Sequence, residues 1–516
     1  MIAFFLNFWL YHPALLYGSA LLMGILCYLG KSPSLIIPCL FLWLPFLINI
    51  IYSRNQETFK FFALSLTLFF SAWLYTASHH VFPHLPSEGL KGIAYVKINN
   101  INLQSSPFAK NLRYRCELTQ FFPNQSSKSI VSSLPCYILF PANSKTKSIP
   151  LANQDYWVPG KLKQNDNGAY VLKVSTKSTW TPIAGTWSWA EQRFLWKKKI
   201  SKWIESQFSQ HSSAIFLGGL VTGEFDDYWM RDQFARFGLL HLLAISGFHF
   251  AIIAGFLSMI LRFILPLPIR TIGLLLCLGA YCFLLGPQPS ILRAWIMCSL
   301  TLLGGLLQKQ TTALNSVGFA LLIILGYNPL LCQELGFQLS FAITVAILLF
   351  YQPALAFVHF IFPKRSLSDA LQMNGWNQHA YCVLAFFKQA LALTLAVNVF
   401  AIPLTLYYFQ QFPWMSLLYN LFFPFLASIS LCLLLLGGML TFVPFIAAGI
   451  HYINDRYTFF LLQLTYQIPS ELDAHLSIGS IHSVWIALYL CGTCLCGILW
   501  KEKNSQNLQE KPFAFI

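Results

Sequence analysis

The stretch from Gly238 to Gly255 reads GLLHLLAISGFHFAIIAG and sets His241, Ser246, Gly247 and His249 in a nearly unbroken apolar run. Polar groups at membrane depth are costly and face a protein interior or a wet cavity. Two kinds of chemistry fit. Ser246 and His249 are three residues apart, which puts a nucleophile and a base on one helix face. No acid in the span orients that histidine; Glu224, Asp226, Asp227 and Asp232 are the nearest in sequence. Alternatively, the same groups line a polar path, because Ser-Gly permits close helix contact or the kind of helix break that lines cavities. Simple helix packing with satisfied histidines stays open beside both.

Three further segments carry polar groups into apolar surroundings. In SILRAWIM, Arg293 opens an apolar run, as a cation at a pore mouth or as a side chain that snorkels to the interface. GFQLSF adds Gln338 and Ser340, and NVFAIP with NLFFP places proline and asparagine inside spans, where freed carbonyls need partners. For each of these alone, interhelical bonding is a sufficient explanation.

The elements that hold these residues follow from composition. Of 516 residues, 56% are hydrophobic and 10% charged, against about 25% charged in soluble domains. Apolar runs such as 13–30, 35–52, 61–77 and 417–440 approach the roughly 20 residues of a membrane-spanning helix. The expected fold is therefore a polytopic α-helical membrane protein of about 11–12 spans. Three lie in an N-terminal block (1–80) and about nine in a channel-type block (237–500), followed by a cytoplasmic tail (501–516). The span at 445–468 is the weakest, since it carries Asn454, Asp455 and Arg456. No charged side chain precedes Lys31, so the first span is expected to be retained rather than cleaved. Placing Arg54, Lys60, Arg262, Arg270, Lys309, Lys364, Arg365, Lys501 and Lys503 in the cytoplasm gives a consistent alternation. It puts residues 88–185, and the loop with Glu471 and Asp473, outside.

Residues 88–185 alternate with period two, as in Leu112, Tyr114, Cys116 and Leu118 against Arg113, Arg115, Glu117 and Thr119. With Asn167-Gly168 as a hairpin signal, about five strands fit a small OB-like barrel or another small β-domain. This segment has 12 Lys and Arg against 4 Asp and Glu, a net +8. Lys97, Arg113, Arg115, Lys161 and Lys163 are candidate contacts to a phosphate backbone. Tyr95, Tyr114, Phe121, Phe122, Tyr156 and Trp157 are candidate stacking surfaces. Anionic lipid or polysaccharide would suit the charge as well. Cys116 and Cys136 can form a disulfide if the segment faces an oxidising compartment, although the sequence does not fix their separation. The remaining cysteines lie mostly in apolar runs, and Cys491, Cys494 and Cys496 have no charged partners, so neither metal nor cofactor is expected. Residues 186–236 form a linker. Within it Trp196, Ile200, Trp203 and Ile204 oppose Lys197, Lys198, Lys199 and Lys202, the pattern of a helix lying flat in the membrane interface.

Taken together, these segments resemble the ComEC family of DNA-uptake proteins. HLLAISG followed by His249 is the most specific piece, with Gly238-Leu239 just before it. Leu220–Glu224 resembles the family's Leu-x-x-Gly-acidic stretch, with Glu224 where Asp is more usual. SILRAWIM and NPLLCQELGFQLSF follow in family order. The resemblance implies a bacterial inner-membrane channel that passes single-stranded DNA inward during natural transformation while the other strand is degraded outside. Many members carry a metallo-β-lactamase-like domain, but no HxHxDH cluster occurs in these residues, so a separate nuclease is expected and the chain is not read as an enzyme. No GxxxxGK[ST] loop occurs either, so an ATP-driven partner is expected, along with a DNA receptor, membrane lipid and a possible homo-oligomer. A non-transporting DNA-binding scaffold and an intramembrane Ser/His enzyme are the alternative readings.

Overall fold

The computed structural model describes residues 2–509 apart from 31–32, 54, 81, 84, 87, 106–109, 125–127, 142–150, 166–169, 175–178, 226, 246, 310, 364, 366–371 and 468–474. The N-terminal helices are α1 (Ile2–Tyr11), α2 (Pro13–Leu29), α3 (Ile36–Ser53) and α4 (Gln56–His79). The strands β1 (Leu90–Ser105), β2 (Lys110–Pro123), β3 (Leu134–Pro141), β4 (Tyr156–Gln164), β5 (Tyr170–Lys173) and β6 (Thr181–Pro182) follow. Next come α5 (Ala190–Gln207), α6 (His211–Thr222), α7 (Tyr228–Arg236), α8 (Leu240–Leu243), α9 (Gly247–Ile264), α10 (Leu267–Leu285), α11 (Pro289–Leu306), α12 (Ala313–Tyr327) and α13 (Leu335–Ile361). The chain continues through α14 (Gly375–Phe409), β7 (Gln411–Pro413), α15 (Met415–Met439), α16 (Pro444–Tyr466), β8 (His475–Ser477) and α17 (Ser483–Gln509).

Among the described residues, eight helices (α4, α9, α10, α11, α13, α14, α15 and α17) are long and apolar enough to cross a membrane. The α1–α2 pair, bent by 97°, makes a ninth if it acts as one broken span. Three other helices stand where spans are expected. Of these, α3 and α12 are apolar but shorter, and α16 is the polar one that carries Asn454 and Asp455. The N-terminal helices are not a separate body. Phe8, Leu16 and Phe46 share one core with Leu314, Val317 and Phe337. Glycines make the closest crossing possible: a Cβ on Gly318 of α12 would stand 2.1 Å from the Ala14 backbone of α2, the small-residue contact that lets membrane helices approach.

Strands β1–β5 close into a barrel in the order β1-β2-β3-β5-β4-β1, with β3 and β5 parallel. This is an OB-like barrel. The period-two pattern has the expected consequence: Ala94, Val96, Ile98, Tyr114, Cys116 and Leu118 fill the interior. Register shifts at Tyr95/Val96 and Ile98/Asn100 bend the long β1 so that it pairs with both β2 and β4. The hairpin signal at Asn167-Gly168 lies outside the described residues, between the antiparallel β4 and β5.

Candidate nucleic-acid path

The barrel rests on one end of the helix block. Arg193 of α5 donates from Nη2 to the Asn99 carbonyl at 2.6 Å, and Ser188 Oγ donates to the Ile98 carbonyl at 2.8 Å. Arg115 of β2 pairs with Glu334, the residue that precedes α13. Ser132 Oγ donates to the His79 carbonyl at 3.0 Å, and the His80 ring bonds the Ser133 carbonyl through Nδ1 at 3.1 Å. Burial is the main cause that lowers the His80 pKa below its usual 6.5.

Directly under this contact, three of the sequence motifs meet. Gly223 closes α6 in the left-handed region at φ +74, a conformation that favours glycine. A Cβ there would stand 2.9 Å from Ile245 Cδ1. The chain breaks between α8 and α9, where Ala244 is extended. Ser290 Oγ donates to the Ile245 carbonyl at 3.2 Å, tying the break to the start of α11. Gly247 is the first residue of α9, and a Cβ on it would lie 3.0 Å from Arg293 Nη2. Arg293 is only 8% exposed, and its Nε has no hydrogen-bond partner among the described residues. A buried guanidinium therefore faces the amino end of an 18-residue helix, where free N–H groups and the helix dipole already favour an anion.

The other candidates divide. His249 is buried, 3% exposed, on the first turn of α9. His241 is exposed on the short α8 and bonds the Gly238 carbonyl at 3.1 Å. Ser246 lies outside the described residues. Gln338 stands apart from this cluster. Its Nε2 donates to the Cys332 carbonyl at 2.9 Å, and its Oε1 accepts from Tyr408. Both ends of the amide are thus engaged in helix contacts. Ser340 is half-buried one turn from Phe337 and accepts at its backbone carbonyl from Thr344.

Glu224 bonds Lys197 Nζ at 3.2 Å; the two side chains are 10% and 2% exposed. Lys197 therefore does not belong to a solvated lysine face as the linker pattern implied, because the buried carboxylate draws it inward. Helix α15 starts beside Gly238, where a Cβ would stand 2.5 Å from Ser416, and its 25 residues run for about 37 Å. Near its other end Gly438 meets Trp203, and Gly437 meets His451. Phe208 lies 5.6 Å from the His451 ring. Helix α5 thus reaches from the barrel contact at Arg193 to the end of α15 at Gly438, and Lys198, Lys199 and Lys202 are exposed along it. Its far end is held by Asp455, whose Oδ2 accepts from Ser209 Oγ at 2.5 Å and from the Ser209 and Gln210 amides at 3.1 and 3.3 Å. Sequence reasoning saw Asp455 only as a blemish in a weak span and missed Glu334 altogether, although Glu334 lies within the motif NPLLCQELGFQLSF.

On the barrel, Lys97 is exposed and faces Glu117 in register. Lys161 and Lys163 are half-buried on the outer face of β4. The Arg113 guanidinium stacks over the Tyr137 ring at 3.8 Å. Cys116 and Cys136 are register partners across β2 and β3, buried and with free thiols. Burial, with the neighbouring Cys136, pushes the Cys116 thiol well above its ordinary pKa. Among the described residues no group of three His, Cys, Asp or Glu side chains is placed to hold a metal ion.

The Competence protein family model matches residues 223–503. The chain belongs to that family. The matched residues include Glu224, the α8–α9 break, Arg293 and Gln338, and they exclude the barrel and α5. ComE operon protein 3 of Bacillus subtilis (strain 168) is 32% identical over 158 residues, which is 30% of this chain and 20% of that relative. The aligned part is thus a fifth of the relative's length. No solved structure matches the chain.

Proposed function

We propose that this competence-family protein is the channel that admits one strand of DNA across the bacterial inner membrane, with the barrel on the extracytoplasmic side. The observation that carries this reading is Arg293, buried, with an Nε that has no partner among the described residues, at the amino end of α9 and beneath a basic barrel. Among the described residues no carboxylate pairs with Arg293; a buried cation so placed is costly, and a passing phosphodiester supplies the missing charge without any sequence being read. The exposed Lys198, Lys199 and Lys202 extend positive charge along α5 from the barrel contact toward the end of α15 at Gly438. Spare cations along this line suit an aqueous path for a polyanion better than a lipid face. Energy input falls to an ATP-driven partner, and capture and strand degradation to a DNA receptor and a nuclease outside these residues.

Uptake of labelled DNA and transformation frequency test the reading in a clean deletion strain and in Arg293→Ala cells, with membrane insertion of the variant verified. The deletion abolishes uptake, and Arg293→Ala lowers it at least about tenfold, the scale of one lost charged contact in a desolvated site. Normal internalisation in the deletion strain overturns the reading.

A further inference from the structure

The barrel separates its aromatic residues sharply. Tyr114, Phe121 and Tyr156 are buried in the interior. Tyr95, Trp157 and Phe122 stand on the outside, on three adjacent strands. Tyr95 pairs in register with Trp157 across β1 and β4, and Ile93 pairs with both Phe122 and Pro159. The Trp157 ring centroid lies 5.3 Å from that of Tyr95 and 6.0 Å from that of Phe122, so the three rings form a row. Tyr95 is fixed by its hydroxyl, which donates to Asp155 Oδ2 at 3.1 Å. Ile93, Phe122, Trp157, Pro159, Thr179 and Thr181 line a shallow groove over the Trp157–Phe122 part of this row, with Ile93 48% exposed.

Two features argue for the occupant. Lys91 and Lys161 face one another in register beside the row, and Lys97 follows Tyr95 on the same outer face of β1. Like charges directly opposite on neighbouring strands destabilise a sheet, and an anion between them removes that cost. Apolar rings rimmed by cations fit a chain that has both flat bases and phosphates. Lipid is the competing source of such chemistry. The barrel meets the helix block around Ile98 and Asn99, and Ile93 is about 20 Å along the strand from Asn99 at ~3.3 Å per residue. The groove therefore lies at the opposite strand ends from those two contacts. The barrel also meets α4 through Ser132 and Ser133, so the test must separate DNA from lipid.

We propose that the Tyr95–Trp157–Phe122 row, rimmed by Lys91, Lys97 and Lys161, is where the bases of single-stranded DNA dock before the strand reaches Arg293. This inference rests on the DNA-channel reading and adds an outer loading site to it. The test uses the full chain in lipid nanodiscs and a dye-labelled oligothymidylate, read by fluorescence anisotropy. Trp157→Ala weakens binding roughly tenfold, as for loss of one stacked base, and Trp157→Phe restores most of it. Lys91→Gln with Lys161→Gln flattens the slope of log affinity against log salt by about 1.4, at ~0.7 per cation. A benzophenone crosslinker placed at position 157 reports the neighbour directly and does not depend on the alanine variant folding. Crosslinks to the oligonucleotide support the site, and crosslinks to lipid alone overturn it in favour of membrane docking. Tight binding that Trp157→Ala leaves unchanged also overturns the site, while the channel reading stands. If the unaltered protein binds no oligothymidylate, both fall.

Discussion

Lys197 and Glu224 form a buried ion pair at 3.2 Å between the helix that descends from the barrel and the turn that leads to the α8–α9 break. The pair joins a linker outside the family match to a residue within it, so the barrel's attachment and the candidate path share one contact. Removal of Glu224 strips the buried Lys197 ammonium of the carboxylate that holds it, a change that costs on the order of 3–5 kcal/mol. Glu224→Leu and Lys197→Met are each expected to lower the unfolding midpoint clearly. The double variant Lys197→Met with Glu224→Leu is expected to recover most of the loss, because an apolar pair of similar volume replaces both charges. Thermal unfolding of the four purified proteins measures this, and additive losses refute the coupling.

At the path itself, Gly247 controls the space next to Arg293. A methyl group there stands 3.0 Å from the guanidinium, so Gly247→Ala displaces the end of a flexible side chain by a few tenths of an ångström. Gly247→Val displaces it further. DNA uptake is expected to fall mildly in the first and at least about tenfold in the second, with protein levels in the membrane unchanged. Equal uptake in Gly247→Val and wild-type cells refutes the role given to this contact.

The joint between α4 and the barrel is expected to loosen in acid. His80 is 5% exposed, and burial holds its folded pKa below 6.5. The folded state therefore prefers the neutral ring, and below pH 6.5 the unfolded joint takes up a proton that the folded one resists. The stability contribution is complete above pH 6.5 and is lost as the pH falls beneath it. Hydrogen exchange of the residues around Ser133, followed from pH 7.5 to 5, is expected to show falling protection in the wild type and a flatter profile in His80→Gln.

Cys116 and Cys136 face one another across antiparallel strands, where Cα atoms are about 4.5–5.5 Å apart, within the range a disulfide spans. In an extracytoplasmic barrel the two thiols are expected to be bonded. Protein extracted from cells without reductant and alkylated after denaturation is expected to leave both residues unlabelled. Full labelling of both places the barrel in a reducing compartment and counts against the proposed orientation.

Much of this molecule is legible from local pattern, because lipid and barrel cores both impose short-range rules. Apolar stretches of about 20 residues mark helices, and the described helices from α9 to α17 stand where about nine spans are expected, seven of them long and apolar enough to cross a membrane. Alternation marks strands, so Tyr114, Cys116 and Leu118 point inward as the period demands. The break in the helix after Leu243, at the extended Ala244, lies next to the Ser-Gly pair that permits it within an apolar run. What the sequence could not decide depends on partners distant along the chain. Whether Lys197 is solvated or buried depends on Glu224, whether Arg115 is free depends on Glu334, and the closeness of α2 to α12 depends on Gly18 and Gly318. The neighbours of α5 are of the same kind, since its amphipathic pattern does not name Asp455, which holds the turn after it, or Gly438, which meets Trp203. Periodicity says which side of an element seeks an apolar neighbour. Only the tertiary structure supplies that neighbour, and with it the charge that turns a costly buried side chain into a site.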